Sequence, residues 1–349
     1  MTNPILSICL PTYNRSALLE QAITALLPGI FEHGAAVELV ISDNASTDNT
    51  KLMLERLAQF SNVKVCFNKV NLGAAKNFDI VVQQAKGEFC WIVGDDDLVC
   101  PGGIATILKV LRTHPEIHFA FVNAYIHTTG GHTGDAEKQI LDLATPELPV
   151  QCEDRTNRLL RSWNELIDPR ISGVYLGSMM MCIFRRDAWL KGRIGVEFGE
   201  PFCSTLASVY PQAMIFGKEM EGRPAFYVGE PCIIARWGTQ EWKDYLSIIC
   251  AFWLHELLDF YQEHGVEVWR ISKCRKTLLR VSGPAALKLL FNPNLPCRKL
   301  FSFRRYVVRF AKFYDFWLGL FVVPVYAWIQ SCSKKARRLF LWSGFPRRS

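Results

Sequence analysis

Several absences narrow the reading of this 349-residue sequence. The turn after the first strand-like run, residues 5–10, holds no glycine, and no GxxxxGK[ST] run occurs anywhere. A dinucleotide fold needs GxGxxG at that turn so that backbone can approach a pyrophosphate, and a P-loop needs its own glycines. Both readings fail. The 12 cysteines form no CxxC pair and no Cys/His ligand spacing, and several (Cys9, Cys90, Cys182, Cys250) lie in or beside apolar runs. That argues against zinc and fits reduced thiols in a reducing compartment. The N-terminal stretch carries Pro4 and lacks both a basic region and a long apolar run. No signal peptide is expected, and the body is expected in the cytoplasm. Acidic residues are almost missing from Arg298 onward, where 12 Lys/Arg face only Asp315. The first 297 residues therefore hold 28 basic and 32 acidic groups, so the formal charge of +7 belongs to the tail.

What is present is apolar. Half the residues are hydrophobic and mean hydropathy is +0.09, which for an enzyme of this length implies extra greasy surface somewhere. Strand-like runs at 5–10, 37–42, 63–67 and 89–93 alternate with helical patterns. Ser16 is placed to cap the first helix, which would bury Leu19, Ala22, Ile23 and Leu26. Phe78, Val81, Val82 and Ala85 make an apolar stripe at i, i+3, i+4 and i+7, and Ile104, Ile107, Leu108 and Leu111 repeat it. Such alternation predicts an α/β fold: a mostly parallel sheet with helices on both faces and a ligand beyond the carboxyl ends of the strands.

Those ends converge on polar chemistry. They carry Pro11-Thr12-Tyr13-Asn14-Arg15, Asp43-Asn44, the stretch from Asn68 to Asn71, and Gly94-Asp95-Asp96-Asp97. Asn, Asp and Ser favour turns in any protein, so each one singly reads as loop chemistry. Four together at one rim are harder to dismiss. Three adjacent carboxylates after an apolar strand repel one another and are poorly hydrated, a penalty that a hard divalent cation removes. The rim therefore reads as a metal site holding a phosphorylated ligand.

In order and spacing, Ser7 to Arg15, Ile41 to Asp48, Asn71-Leu72-Gly73 and Gly94 to Asp97 resemble the family 2 glycosyltransferases of the GT-A fold. Cys90-Trp91-Ile92-Val93-Gly94 is similar to the abequosyltransferase-like branch, which works on O-antigen sugars. The resemblance implies a Rossmann-like GT-A domain over 1–236, with a nucleotide-sugar half (1–110) and an acceptor half (111–236). It implies transfer of a sugar from a nucleotide diphosphate donor, by inversion, with Mn²⁺ or Mg²⁺. Pro11, Thr12, Asn14, Arg15 and Asp43 would hold base and ribose, with Asn71 beside them. Gly94 stands where many members carry the first Asp of a DxD, so Asp96 is the foremost metal ligand. Asp95 and Asp97 would be further ligands or donor contacts. The family's carboxylate base lies about a hundred residues further on, where this chain has Glu200 and Glu197. Arg236, before Trp237, would belong to a late basic loop that closes over the diphosphate.

A helical region is expected over 237–297, ending near Pro293 and Pro296. The tail, 298–349, sets an apolar run from Phe313 to Ile329, broken by Asp315 and Pro324, between two basic clusters. It is short for a span and basic at both ends, which fits an interfacial segment on an anionic membrane surface. Its blocked aromatics and aliphatics do not suit nucleic acid. Together these readings give a peripheral enzyme at the cytoplasmic face of a bacterial inner membrane, acting on a polyprenyl-diphosphate-linked glycan. Two other readings compete: a catalytically degenerate sugar-nucleotide-binding scaffold, and a sugar nucleotidyltransferase, whose GxGxRxxP opening is absent.

Overall fold

The computed structural model describes residues 3–129, 141, 143, 146–198, 201–238 and 240–322. The chain divides into two compact units, Met1–Lys243 with Leu257–Ile271, and Asp244–Glu256 with Ser272–Ser349. The helical region read as 237–297 is thus shared between them.

The first unit is built on a nine-stranded sheet. Strands β1 (Leu6–Thr12), β2 (Val37–Asp43), β3 (Val63–Phe67) and β4 (Phe89–Ile92) are parallel, in the order β3-β2-β1-β4. Every residue of β1, β2 and β4 is buried, as expected of strands covered on both faces. Helices α1 (Ser16–His33), α2 (Thr50–Leu57), α3 (Ala74–Gln84) and α4 (Gly103–Thr113) connect and cover them. Ser16 does not cap α1. Arg15 takes the cap position, and the Ser16 N–H donates to Asp48 Oδ2 at 3.0 Å, so the second strand's loop supplies the carboxylate that the helix start favours.

The expectation of a mostly parallel sheet holds for β1–β4, and beyond them the sheet is mixed. β6 (Phe119–Thr128) and β8 (Cys182–Arg185) join antiparallel to each other, and β8 joins antiparallel to β4. The 13-residue β9 (Ala225–Trp237) runs parallel to β6 and antiparallel to β5 (Leu98–Val99) and β7 (Arg158–Leu160). The reason is connectivity. β5 follows β4 through the acidic turn with no helix between them, and it pairs antiparallel with β9, a strand far along the chain. Phe119, Phe184, Trp189 and Phe216 pack ring against ring beneath this half of the sheet. Trp189 lies on α5 (Arg186–Gly192) and Phe216 on α6 (Pro211–Glu219).

In the second unit the long helix α7 (Val268–Phe291), from Ser272 onward, packs with α8 (Phe303–Phe310) and the short α9 (Tyr314–Trp317). Tyr306 and Phe310 are buried, and Tyr306 Oη and Ser282 Oγ share a 2.7 Å hydrogen bond. The described part of the tail is thus core, not appendage. No helix among the described residues is long and apolar enough to cross a membrane. Residues 323–329 of the predicted interfacial run lie outside the described residues.

Candidate active site

The carboxyl ends of β1, β2 and β4 form one rim. The three strands are in register, and each hands its last side chains to the next. Asn44 N–H donates to Thr12 O at 2.9 Å, which fastens the end of β2 to the end of β1. Pro11 sits beyond the β1–β4 ladder, so its missing N–H costs no bond there. Asn14 adopts φ 51°, a left-handed conformation that asparagine tolerates, and this points its groups at the β2 loop. Its N–H donates to Ser46 Oγ at 2.8 Å, and its Oδ1 accepts from Thr47 N–H at 2.7 Å. Buried Asp43 accepts from Ser46 N–H at 3.1 and 3.3 Å.

The acidic turn closes the rim. Thr12 Oγ1 donates to Asp95 Oδ2 at 2.9 Å. Arg15 Nη1 reaches Asp95 Oδ1 at 2.8 Å and Asp96 Oδ2 at 3.2 Å, bracing two carboxylates from the start of α1. Asp97 turns inward and accepts from Arg236 N–H and Gly94 N–H, each at 3.2 Å. Burial pushes the Asp95 carboxyl up to about 6, with Arg15 pulling it down and Asp96 adding repulsion. Burial and then Asp96 hold Asp97 well above the usual carboxylate range. The turn is an anion-rich pocket only partly neutralised by its own cation.

A side chain at Gly94 would have to displace a carboxylate of the turn. A Cβ there would stand 2.6 Å from Asp97 Oδ2 and 2.8 Å from Asp96 Oδ1, closer than side chains pack. The carboxylates occupy the space that a first DxD aspartate would need.

Arg236 is not on a loop. It lies in β9, only 1 % exposed, and its Nη2 donates to Gln21 Oε1 on α1 at 2.7 Å. Its backbone N–H holds Asp97 while its guanidinium is gripped by α1, so the Arg236–Gln21 pair fastens β9 to the helix that carries Arg15. Burial lowers the Arg236 pKa, and Asp96 and Asp97 oppose that shift.

Asn71 supports the rim from behind. Its Oδ1 accepts from Asn44 Nδ2 at 2.8 Å and from Gly73 N–H at 2.9 Å. Asn68 Nδ2 donates to Asn44 and to Asn77, and Asn77 Nδ2 donates to Ser42 O. Sequence reasoning singled out Asn44 and the stretch 68–71 but missed Asn77, Gln21 and this network. Asparagine at both the β2 end and the start of α3 was the available signal.

Glu197 is exposed on the loop after α5, and among the described residues no hydrogen bond or ion pair links it to the acidic turn. Glu200 lies outside the described residues. The stem of that loop is anchored at Asp79 on α3, which is fully buried. Arg193 binds it through two nitrogens at 2.5 and 2.7 Å, with Lys76, Gln83 and the Trp189 indole N–H completing the shell.

Among the described residues no three His, Cys, Asp or Glu side chains converge as a preformed metal cage. The donor set nonetheless suits Mg²⁺ or Mn²⁺, which take hard oxygens and are commonly bound through one or two carboxylates completed by substrate phosphates.

A mixed, GT-A-like α/β sheet with its acidic turn pinned between the first helix and a late strand defines the class. Residues 7–182 match the profile described as glycosyl transferase family 2, half of the chain. The chain belongs to glycosyl transferase family 2. It is 28 % identical over 246 residues to abequosyltransferase RfbV of Salmonella typhimurium, covering 66 % of each protein. It is 32 % identical over 108 residues to a GalNAc(5)-diNAcBac-PP-undecaprenol beta-1,3-glucosyltransferase of Campylobacter jejuni, covering 30 % of this chain and 34 % of that one. The chain thus spans slightly less than two thirds of the first relative and about a third of the second. TarS 1-349 of S. aureus, solved in complex with UDP-GlcNAc, shares the fold at TM-score 0.50 and 16 % identity, covering 88 % of this chain and 93 % of that one.

Proposed function

We propose that this protein moves a sugar from a nucleoside diphosphate donor to a lipid-linked glycan of the O-antigen type. The observation that carries the reading is the acidic turn tied to Thr12 and Arg15, which sets anions and a cation at the rim that also carries Asn14 and Asp43. Base and ribose would lie against Pro11, Thr12, Asn14 and Asp43, where buried polar groups reward a ligand that completes their hydrogen bonds. Asp96 would hold the divalent cation, with Asp95 and Asp97 beside it. When bound, that cation supplies Lewis-acid stabilisation of the departing diphosphate.

The chain's own residues do the rest. Arg15 neutralises the turn and is placed to meet donor phosphate, while Arg236 acts through Asp97 to keep the turn in shape. The acceptor hydroxyl must lose its proton as the anomeric bond breaks, and Glu200 or Glu197 would receive it, giving inversion by direct displacement. The names of the two relatives, an abequosyltransferase and a transferase acting on a diphospho-undecaprenol glycan, support a polyprenyl-diphosphate acceptor. The basic, aromatic tail supports a peripheral place on an anionic membrane surface, at the cytoplasmic face if the acceptor is assembled there.

Donor hydrolysis with Mn²⁺ or Mg²⁺ across a panel of sugar nucleotides tests the reading. Asp96→Ala is expected to abolish metal-dependent donor binding, and wild-type affinity in that variant would sink the assignment. Donor binding with neither cleavage nor transfer would mark a sugar-nucleotide-binding scaffold.

A further inference from the structure

We infer that the membrane-docking surface is not confined to the tail but includes the exposed stripe of α7, and that its partner is the anionic headgroup layer of a bilayer. The inference rests on the peripheral-membrane reading above and extends it to a folded element that the sequence alone assigns to no function.

Within the second unit, α7 turns two distinct faces outward and inward. Cys274, Leu278, Leu279, Ser282, Ala286 and Leu289 are buried. Lys276, Arg280, Val281, Lys288 and Phe291 are exposed, and they recur at nearly helical spacing along one side. Val281 is 59 % and Phe291 78 % exposed, a large apolar area to leave in water. Between residues 272 and 322 the sequence has 11 Lys/Arg and a single acid, Asp315. That acid is buried and paired with Arg280 Nε at 2.6 Å. The outward charge of this stretch is therefore of one sign.

The tail continues the same surface. The Arg280–Asp315 pair brings α9 against the stripe, and the crossing is tight. Gly283 and Gly319 meet backbone to backbone, with no room for a Cβ at either. Tyr314, Trp317 and Phe321 are exposed beside it, and Trp317 and Phe321 stack on each other. On α8 the outward residues are Arg304, Arg305 and Val308, the last 77 % exposed.

Cations interleaved with exposed Val, Phe, Tyr and Trp suit the interface of an anionic bilayer, where aromatic rings lie at headgroup depth and lysines reach the phosphates. A nucleic acid would reward the charges but not the aliphatic positions. An acidic protein partner would bury the aromatics, but binding to it would be indifferent to headgroup composition.

Co-sedimentation of the full chain with vesicles tests this, using phosphatidylcholine alone and an equal mixture with phosphatidylglycerol. The wild type is expected on the mixed vesicles and not on the neutral ones. The double variant Lys276→Gln/Lys288→Gln should partition about thirtyfold less, at ~1 kcal/mol for each cation lost near an anionic surface. Phe291→Ser should weaken binding with no change in its salt dependence. Unchanged thermal unfolding and donor binding would show that the variants fold. Failure of the wild type to bind mixed vesicles overturns the membrane reading and this inference together. Wild-type binding matched within twofold by the double variant overturns this inference alone and leaves the tail as the anchor. Equal binding to neutral vesicles, or complete displacement by a mixed-sequence oligonucleotide, overturns the choice of partner.

Discussion

At Gly94 a side chain would have to displace a carboxylate of the acidic turn. Asp96 and Asp97 fold their carboxylates over it, and its N–H is one of the two backbone donors that hold Asp97. Even a methyl must push back a carboxylate that burial has already made costly. Gly94→Ala is therefore expected to lower donor affinity at least tenfold, measured by titration calorimetry with metal present. Gly94→Asp should not restore a DxD site but should weaken binding further. That residue could be read from the sequence as a departure from the family pattern, but the cost of a side chain there could not be. The clash is made by side chains two and three positions later, whose direction only the turn geometry fixes. Arg236 was legible as a candidate for the opposite reason: its position after a late strand resembles the family's basic loop. Its burial beneath α1 was hidden, because Gln21 lies 215 positions away along the chain.

Elements are joined in this protein by buried charge. Asp79 on α3 accepts from Arg193, Lys76, Gln83 and Trp189, tying the helix behind the polar rim to the segment that leads to Glu197. Burial alone would raise its pKa, but the hydrogen bonds from Arg193 and Lys76 outweigh it and the carboxyl stays below the ordinary range. Removing one partner of such a pair leaves the other stranded. Asp79→Ala should cost about 3 kcal/mol in urea unfolding. It should also lower transfer more than donor binding if the loop after Arg193 carries the base. The strands and helices of the first hundred residues were readable from periodicity, since each stripe faces the same sheet. The antiparallel strands were not, because β6, β8 and β9 find their neighbours across long stretches of chain.

The second unit gives the whole molecule a pH-dependent part. His255 is fully buried, with Nε2 3.3 Å from Ser282 Oγ and its ring against Phe310. Burial, and then the nearby cations Arg275 and Arg309, hold its pKa well below 6.5. The folded state keeps this ring neutral, whereas the unfolded chain takes up a proton as pH falls through about 6.5. Stability from this site is present above that value and is lost below it. The thermal midpoint should drop between pH 7 and pH 5, and His255→Gln should flatten the drop, as calorimetry would record. The same core bears on the tail. Truncation before Phe301 would remove Tyr306, Arg309 and Asp315, partners of Ser282, Glu256 and Arg280, so it should unfold this unit and not merely release the protein from membranes. Circular dichroism of the truncated chain would distinguish the two. By itself the sequence determined the alternating α/β half, the four polar strand ends and the basic tail, because those are set by local periodicity, turn chemistry and composition. Only the tertiary structure decided that the sheet is mixed, that Arg236 is buried behind the acids, and that the described part of the tail is part of a core. Each of those depends on contacts between distant residues, which no window along the chain contains.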